Sequence, residues 1–122
     1  MEHNTKKIKL WYIVLGLFIV GIIFLGIKYK IEHTFSTTRW IEFPRERVNM
    51  VDDMLEKHNL VGQSNEQVIE LLGNGTENPY FKEVDNYVYY MGDERGLISI
   101  DSEWLVITFD NNVVIDVKIM RD

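Results

Sequence analysis

An uninterrupted run of 18 residues without a charged side chain, from Leu10 to Ile27, constrains this chain more than any other feature. A helix of this length approaches the roughly 20 residues needed to cross the ~30 Å hydrocarbon core of a bilayer. Lysines and aromatic residues lie at or beside both ends, as expected at a membrane interface. They are Lys6, Lys7, Lys9, Trp11, Tyr12, Lys28, Tyr29 and Lys30. The sequence therefore predicts a transmembrane helix over residues 10–27, in contact with the lipid bilayer, after a short basic tail at residues 1–9.

A cleaved signal peptide is the main alternative for this apolar segment. Its apolar core is usually about 7–15 residues long and is followed by small residues at a cleavage site. Here the longer run is followed by KYKIEHTF, so we favour an uncleaved anchor. The lysines and the α-amino group before the run slightly outweigh the basic residues after it. This balance predicts a single-pass protein of the cytoplasmic (inner) membrane, with its N-terminus inside and its C-terminal domain outside.

The rest of the chain is acidic. From Lys28 onward it holds 10 Lys and Arg residues and 18 Asp and Glu residues, a net charge of −8. Nucleic acid is a poor partner for such a domain, because its phosphates require clustered basic side chains. The chain has no cysteine, which excludes a disulfide, a thiol nucleophile and a thiolate-ligated zinc site.

Residues 28–43 are predicted to be a connector, because the segment IEHTFSTTRWIEF shows no helical period. We expect it to pack partly through Trp40 and Phe43. Pro44 suits the first turn of a helix, and apolar residues then recur at spacings of three and four. These residues are Val48, Val51, Met54 and Leu55. A small domain is therefore expected over residues 44–122, beginning with an amphipathic helix.

A second, shorter helix is predicted in the segment GQSNEQVIELLG. Ser64 can cap its start, and Gln67, three residues later, completes a capping box. Gly73 suits the left-handed backbone position just past the helix end. The apolar side consists of Val68, Leu71 and Leu72. A helix this short is marginal alone, so we expect tertiary packing to hold it.

The pattern becomes strand-like from Tyr87 onward. Residues 87–91 and 104–109 are predicted strands, and Asn111 with Asn112 can form a two-residue hairpin turn because Asn tolerates positive φ. In the strand that follows, alternation predicts two sides. One side, expected to face the core, carries Val113, Ile115, Val117 and Ile119, and the other, mixed and accessible side carries Val114, Asp116, Lys118 and Met120.

Residues 97–100 read either as part of a long loop or as a short additional strand. The expected fold class is α+β, with the N-terminal transmembrane helix followed by two helices on one face of an antiparallel sheet. The sheet has three strands, or four if residues 97–100 pair.

The order of these segments resembles a known family. A short helix in GQSNEQVIELLG, a polar loop, the strand DNYVYYMG and then WLVITFDNNVVIDVKI are similar to the SmpA/OmlA, or BamE-like, type of small envelope domain. The resemblance covers residues 48–120 and implies an α-α-β-β-β layout. The best-known members are lipoproteins that assist β-barrel assembly through protein and lipid contacts. This chain differs from them because it has a transmembrane anchor in place of a lipidated cysteine.

Catalytic and metal-binding patterns are weak in this sequence. His3, His33 and His58 are scattered and lack the spacing of a helical zinc motif. Asp52 and Asp53 are adjacent on a predicted helix, where neighbouring side chains do not face one another. We therefore predict no enzymatic activity, no metal and no cofactor.

Aromatic residues are the better binding candidates, because they are enriched at interface hot spots. The predicted binding surface contains Tyr87, Tyr89, Tyr90 and Trp104, with Arg95 beside it. Tyr87 and Tyr89 share one strand face and Tyr90 lies on the other. For these aromatic residues we favour the alternative that they pack beneath the helices, and for Arg95 we favour an ordinary solvated loop position.

The sequence as a whole predicts a membrane-anchored, non-catalytic interaction or assembly module. Its unidentified partner would be an envelope protein or a lipid. Two alternatives remain open, namely a small envelope hydrolase or auxiliary enzyme subunit, and a membrane-bound inhibitor or immunity protein.

Overall fold

The structure, a computed structural model, describes residues 2–122 and contains two compact units, one ending at Glu32 and one running from His33 to Asp122. The first unit is a single helix, α1 (Glu2–Glu32). Within residues 2–122, it is the only helix long and apolar enough to cross a membrane, and none of its residues is buried.

Helix α1 extends beyond the predicted apolar segment in both directions. It includes the predicted basic tail, except Met1, which lies outside the described residues. At its other end, the ammonium of Lys28 lies 3.9 Å from the carboxylate of Glu32 one turn later. Each added residue gains a backbone hydrogen bond once a helix has formed, so polar residues continue it readily.

The predicted connector at residues 28–43 is wrong for most of its length. Its first five residues belong to α1, and a second helix, α2, covers Thr37–Glu42. The hydroxyl of Ser36 caps α2 by accepting a hydrogen bond from the Arg39 amide at 3.1 Å. A six-residue helix is too short to display a helical period, which is why the pattern did not indicate it.

Trp40 explains why α2 forms at all. Its side chain is fully buried, as expected from the sequence, whereas Phe43, also expected to pack, is 47% exposed. Packing of the indole holds a helix that is too short to be stable alone. The folded domain therefore begins at His33 and not at residue 44.

Two further helices form at the predicted positions. Pro44–Glu46 makes a 3₁₀ turn that leads into α3 (Arg47–Lys57), and α4 covers Asn65–Leu72. The predicted capping box is confirmed, because the Gln67 amide donates to the Ser64 hydroxyl at 3.2 Å and the Ser64 amide donates to the Gln67 side chain at 2.9 Å. The buried residues of both helices include Val48, Val51, Met54, Val68 and Leu72.

The three strands are β1 (Asn86–Asp93), β2 (Ser102–Asp110) and β3 (Val113–Arg121). They form an antiparallel sheet in the order β1-β2-β3. Asn111 and Asn112 make the predicted turn with φ values of +50° and +63°. Residues 97–100 remain in a loop. The predicted α+β fold with a three-stranded antiparallel sheet is thus confirmed.

The predicted sides of β3 are wrong at its start. Val114 and Asp116 pair with consecutive residues of β2, so Ile115 is the extra residue of a β-bulge. As a result Val114 is buried, while Val113 and Ile115, predicted to face the core, are 40% and 55% exposed. Beyond the bulge the predicted inward residues do pack against the core. They are Val117 and Ile119.

The main core lies between the helices and one face of the sheet, which we call the inner face. Its members include Trp40, Val51, Met54, Leu60, Val68, Leu72, Tyr89, Met91, Leu105, Ile107 and Phe109. A second, smaller cluster lies on the opposite, outer face. Its buried members are Val88, Trp104 and Val106. Both faces of the sheet therefore bury apolar residues, and the helices of the main core pack on the inner face.

Candidate binding surfaces

The tyrosines of β1 occupy both faces of the sheet, as alternation predicts. Tyr89 is fully buried in the main core, and its hydroxyl donates a hydrogen bond to the Gly73 carbonyl at 2.8 Å. Burial raises the pKa of this phenol above its usual range, so the hydroxyl stays protonated. Tyr89 therefore packs beneath the helices, the alternative that we favoured from the sequence, and it is not part of an exposed binding surface. Tyr87 also points inward and packs edge-on against Phe109, with 4.7 Å between ring centroids.

Arg47 packs against the buried rings of Trp40 and Tyr89. Its guanidinium lies 5.1 Å from the ring centroid of Trp40 and 5.9 Å from that of Tyr89. It donates to the backbone carbonyls of Trp40 at 2.6 Å and Tyr90 at 2.9 Å. Burial lowers the pKa of Arg47 to about 10, which still leaves it charged at neutral pH. Arg47 thus links α3 to α2 and β1, and its role is structural.

Aromatic rings on the outer face form a continuous row. Trp104 packs edge-on against Tyr90 and Tyr80, with centroid separations of 5.3 and 5.6 Å. Its indole N–H donates to the carboxylate of Asp122 at 3.1 Å, which fixes the ring. Trp104 itself is only 7% exposed, whereas Tyr80, in the loop before β1, is 63% exposed.

The row continues past Tyr90 to the segment before α3. Tyr90 lines a shallow cavity of about 370 Å³ together with Phe43 and Pro44. Three charged residues complete the lining, and they are Glu42, Arg45 and Glu46. We call the surface formed by Phe43, Tyr90, Trp104 and Tyr80 the aromatic strip. Two of its four members, Tyr90 and Trp104, belong to the predicted surface.

Arg95 is not the freely solvated loop residue that we favoured from the sequence. Its guanidinium donates two hydrogen bonds to Glu103, at 2.9 and 3.0 Å, and one to Asp52 at 2.8 Å. The carboxylate of Glu103 is 1% exposed and accepts a further bond from the Arg95 amide at 2.8 Å. Arg121 lies 4.0 Å from the same carboxylate. These contacts fasten the β1–β2 loop to α3.

The pairing with Arg95 shifts the pKa of Glu103. Burial by itself would raise the pKa, but the hydrogen bonds and positive charge of Arg95, with a smaller contribution from Arg121, lower it below its usual range. The pKa of Arg95 is raised by the same hydrogen bonds. Both groups are therefore charged at neutral pH, and their mutual pairing leaves neither poised to exchange a proton.

Asp52 and Asp53 separate as predicted, because adjacent helical residues point in different directions. Asp52 meets Arg95, whereas Asp53 accepts a hydrogen bond from the Phe35 amide at 2.7 Å and pairs with Lys57 at 2.8 Å. Bonds from Lys57 and from the Phe35 amide lower the pKa of Asp53. Each carboxylate thus holds a different segment onto α3.

The β1–β2 loop carries three large aliphatic residues that no element covers. Leu97 is fully exposed, and Ile98 and Ile100 are 73% and 81% exposed. We call residues 94–101 the aliphatic loop. The sequence shows these residues in GLISI, but it does not show whether they point into the core or into solvent.

A cavity of about 440 Å³ lies at the other end of the sheet, beside the Asn111–Asn112 turn. Amide side chains dominate its lining, but Asn86 already bonds its own chain. It accepts from the Glu83 amide and donates to the Phe81 carbonyl, both at 2.9 Å. We therefore assign the Asn86 amide to holding the loop before β1.

No group of three or more His, Asp or Glu residues lies close enough to hold a metal ion within residues 2–122. Comparison of the chain with models of known protein families finds no match, and comparison with curated proteins finds none either.

Proposed function

We propose that this protein is a single-pass protein of the bacterial cytoplasmic membrane whose acidic domain binds another envelope protein through the aromatic strip, without catalysis. The observation that carries the proposal is the group of three edge-packed rings, Tyr80, Trp104 and Tyr90, beside the cavity that Phe43 lines. Trp104 is fixed by Asp122, and Tyr80 and Phe43 are 63% and 47% exposed. Rings held in place before binding lose little conformational entropy in a complex, which favours affinity.

Charge defines the chemistry of the partner. Residues 33–122 contain eight Lys and Arg and 17 Asp and Glu residues, a net charge of −9. Carboxylates also border the strip, with Glu42 and Glu46 lining the cavity and Asp122 beside Trp104. A partner segment that combines apolar side chains with Lys or Arg would match both properties, and attraction between opposite charges would speed the encounter.

Two further observations support parts of this proposal. Helix α1 has the length and composition of a membrane anchor, and the lysine balance favours a domain on the outer side. The order α3-α4-β1-β2-β3 is the layout that the resemblance to the SmpA/OmlA type of envelope domain implies, and the best-known members of that type act through contacts and not by catalysis.

Site-specific crosslinking in intact cells tests the proposed surface. A photoreactive amino acid would replace Tyr80 in the strip or, as a control, Glu70, which is exposed on α4. We expect one discrete crosslinked protein from position 80, none of the same size from position 70, and loss of the product when Phe43→Ala and Tyr90→Ala are combined. Equal crosslinking from both positions would contradict the proposal. Turnover of an envelope substrate by the purified protein would support the hydrolase alternative instead.

Protease treatment of cells stripped of any outer barrier tests the location. We expect digestion of the C-terminal domain while a cytoplasmic control protein remains intact. Protection of a domain that is cleaved after lysis would place it in the cytoplasm, and the search for an envelope partner would then lose its basis.

A further inference from the structure

The aliphatic loop is an unusual feature for a soluble surface. Leu97, Ile98 and Ile100 are neighbours in the chain and are each at least 73% exposed. Single exposed apolar residues are ordinary, but adjacent ones gathered at a loop tip indicate a site that contacts an apolar phase or a partner.

The polar groups of the loop are directed toward its base. The Glu94 amide donates to the Asp101 carbonyl at 2.8 Å, and the Ser99 hydroxyl donates to the Glu94 carbonyl at 2.6 Å. The Ile100 amide reaches the Glu94 carboxylate at 3.3 Å. Arg95, the basic residue of the loop, is neutralised by Glu103 and Asp52. The tip can therefore enter an apolar environment without carrying an unpaired charge with it.

The loop is attached close to the point where the domain joins α1. Arg95 bonds Asp52, and the Phe35 amide bonds the next residue of α3, Asp53. Phe35 follows the last residue of α1, Glu32, by three positions. The loop base and the start of the domain are thus held by the same turn of α3.

Chain length limits how far this turn can move from a membrane. Five helical steps separate the last apolar residue of the uncharged run, Ile27, from Glu32, and they span about 7.5 Å at 1.5 Å per residue. The three steps from Glu32 to Phe35 add at most about 11 Å. If α1 crosses a bilayer, Phe35 therefore stays within roughly 20 Å of the hydrocarbon core, and Phe35 bonds the same turn of α3 that holds the loop base.

We propose that the aliphatic loop inserts Leu97, Ile98 and Ile100 into the interface of the same bilayer that α1 crosses, and that it favours a zwitterionic lipid surface. This inference rests on the proposed membrane anchoring, but not on the proposed protein partner. Apolar burial supplies the attraction. Asp93 precedes the loop and Asp101 is its last residue, and their charge opposes an anionic surface.

The full chain provides a clean test because it has no native cysteine. Leu97→Cys would be labelled with an environment-sensitive fluorophore and reconstituted in phosphatidylcholine bilayers that carry a quencher on the acyl chain. The matched control is Val84→Cys, which is 97% exposed and lines the cavities beside Asn111 and Asp110 at the other end of the sheet. We expect blue-shifted emission at position 97 and at least threefold stronger quenching there than at position 84.

Two variations make the test specific. Replacing one third of the phosphatidylcholine by phosphatidylglycerol should weaken the quenching at position 97, and added salt should restore it. With the label moved to Ile100→Cys, the pair Leu97→Ser and Ile98→Ser should reduce quenching several-fold while near-ultraviolet circular dichroism stays unchanged.

Equal emission and quenching at positions 97 and 84 would overturn the proposal. Shielding of position 97 that requires an added protein would overturn it as well, and would assign the loop to a protein contact. Crosslinking from position 80 is a separate measurement, so failure of the bilayer contact is distinguishable from failure of the partner surface.

Discussion

The two faces of the sheet use the same residue types for different purposes. On β1, Tyr89 points inward, is fully buried and bonds the Gly73 carbonyl, whereas Tyr90 points outward, packs against Trp104 and lines an open cavity. Adjacent tyrosines therefore differ because strand alternation sends one beneath the helices and the other away from them. Residue type alone does not identify a binding surface, since the neighbours on each face decide the role.

Truncation of Tyr89, the inner tyrosine, should have the largest effect on the free energy of unfolding. We expect Tyr89→Ala to lower the free energy of unfolding by about 3–5 kcal/mol, because it leaves a cavity and removes a buried aromatic ring. Tyr90→Ala should cost about 1 kcal/mol, since Tyr90 is half-buried. Urea denaturation in detergent micelles, followed by near-ultraviolet circular dichroism, would measure both. Similar losses from the two variants would show that the faces are not distinct.

Weakening the Glu103–Arg95 pair, at the charged end of the inner face, should have the second-largest effect on stability. Glu103→Gln should lower the free energy of unfolding by about 2 kcal/mol, because it weakens the pairing of a buried carboxylate with Arg95. The value is below the range for fully buried pairs, since Arg95 is 35% exposed.

Glu103→Gln should also change how the stability of the domain depends on pH. The folded-state pKa of Glu103 is lowered, so its stabilisation is present above the unfolded value of about 4.5 and is lost as pH falls through the folded value. We expect a fall in stability below about pH 4.5 that is shallower in Glu103→Gln. Glu56→Gln, exposed on α3, serves as the control. An unchanged acid limb in Glu103→Gln would argue against the pairing.

Removal of the hydroxyl from each tyrosine should have a smaller effect on stability, and it tests the one buried hydrogen bond that distinguishes Tyr89 from Tyr90. Tyr89→Phe keeps the buried ring but removes the donor to the Gly73 carbonyl, so we expect a loss of about 1 kcal/mol. Tyr90→Phe should be close to neutral. Thermal unfolding monitored by circular dichroism would detect the difference, and equal midpoints would show that the buried hydrogen bond contributes little net stability.

The outermost ring should have the smallest effect on stability. Tyr80→Ala should change the free energy of unfolding by less than about 0.5 kcal/mol, because Tyr80 is 63% exposed. It should nevertheless reduce recovery of the partner protein found by crosslinking. A large loss of stability would indicate that Tyr80 serves mainly to cover Trp104.

Local signals in the sequence predicted much of this fold. The capping box at Ser64 and Gln67 and the Asn111–Asn112 turn depend on residues that are close in sequence, and both form as expected. Helix α2 was not predicted, because it is too short to show a helical period and is held by the packing of Trp40 against residues distant in sequence. The Ile115 bulge was missed for a related reason, since a shift in pairing depends on the partner strand.

The candidate surfaces were predicted less completely. The sequence placed Tyr90 and Trp104 on strands, but could not show that Tyr80 and Phe43 would join them. Arg95 was misread because Glu103 and Asp52 lie eight and 43 residues away and meet it only in the folded chain. Exposure of the aliphatic loop is likewise a tertiary property.

The bulge at Ile115 also has a consequence for self-association. Within the described chain, β3 is an edge strand of the sheet. The Gly62 amide and the Gln63 carbonyl bond Val114 on its other side, at 2.9 and 2.8 Å, so the open part of the edge begins after Val114. Open edges can template pairing between copies. The extra residue interrupts the regular ladder, and Asp116 and Lys118 place charges immediately after it. A second copy approaching this edge would meet an irregular hydrogen-bond pattern. We therefore expect the Ile115 bulge, which the alternation pattern did not predict, to disfavour pairing between copies at this edge.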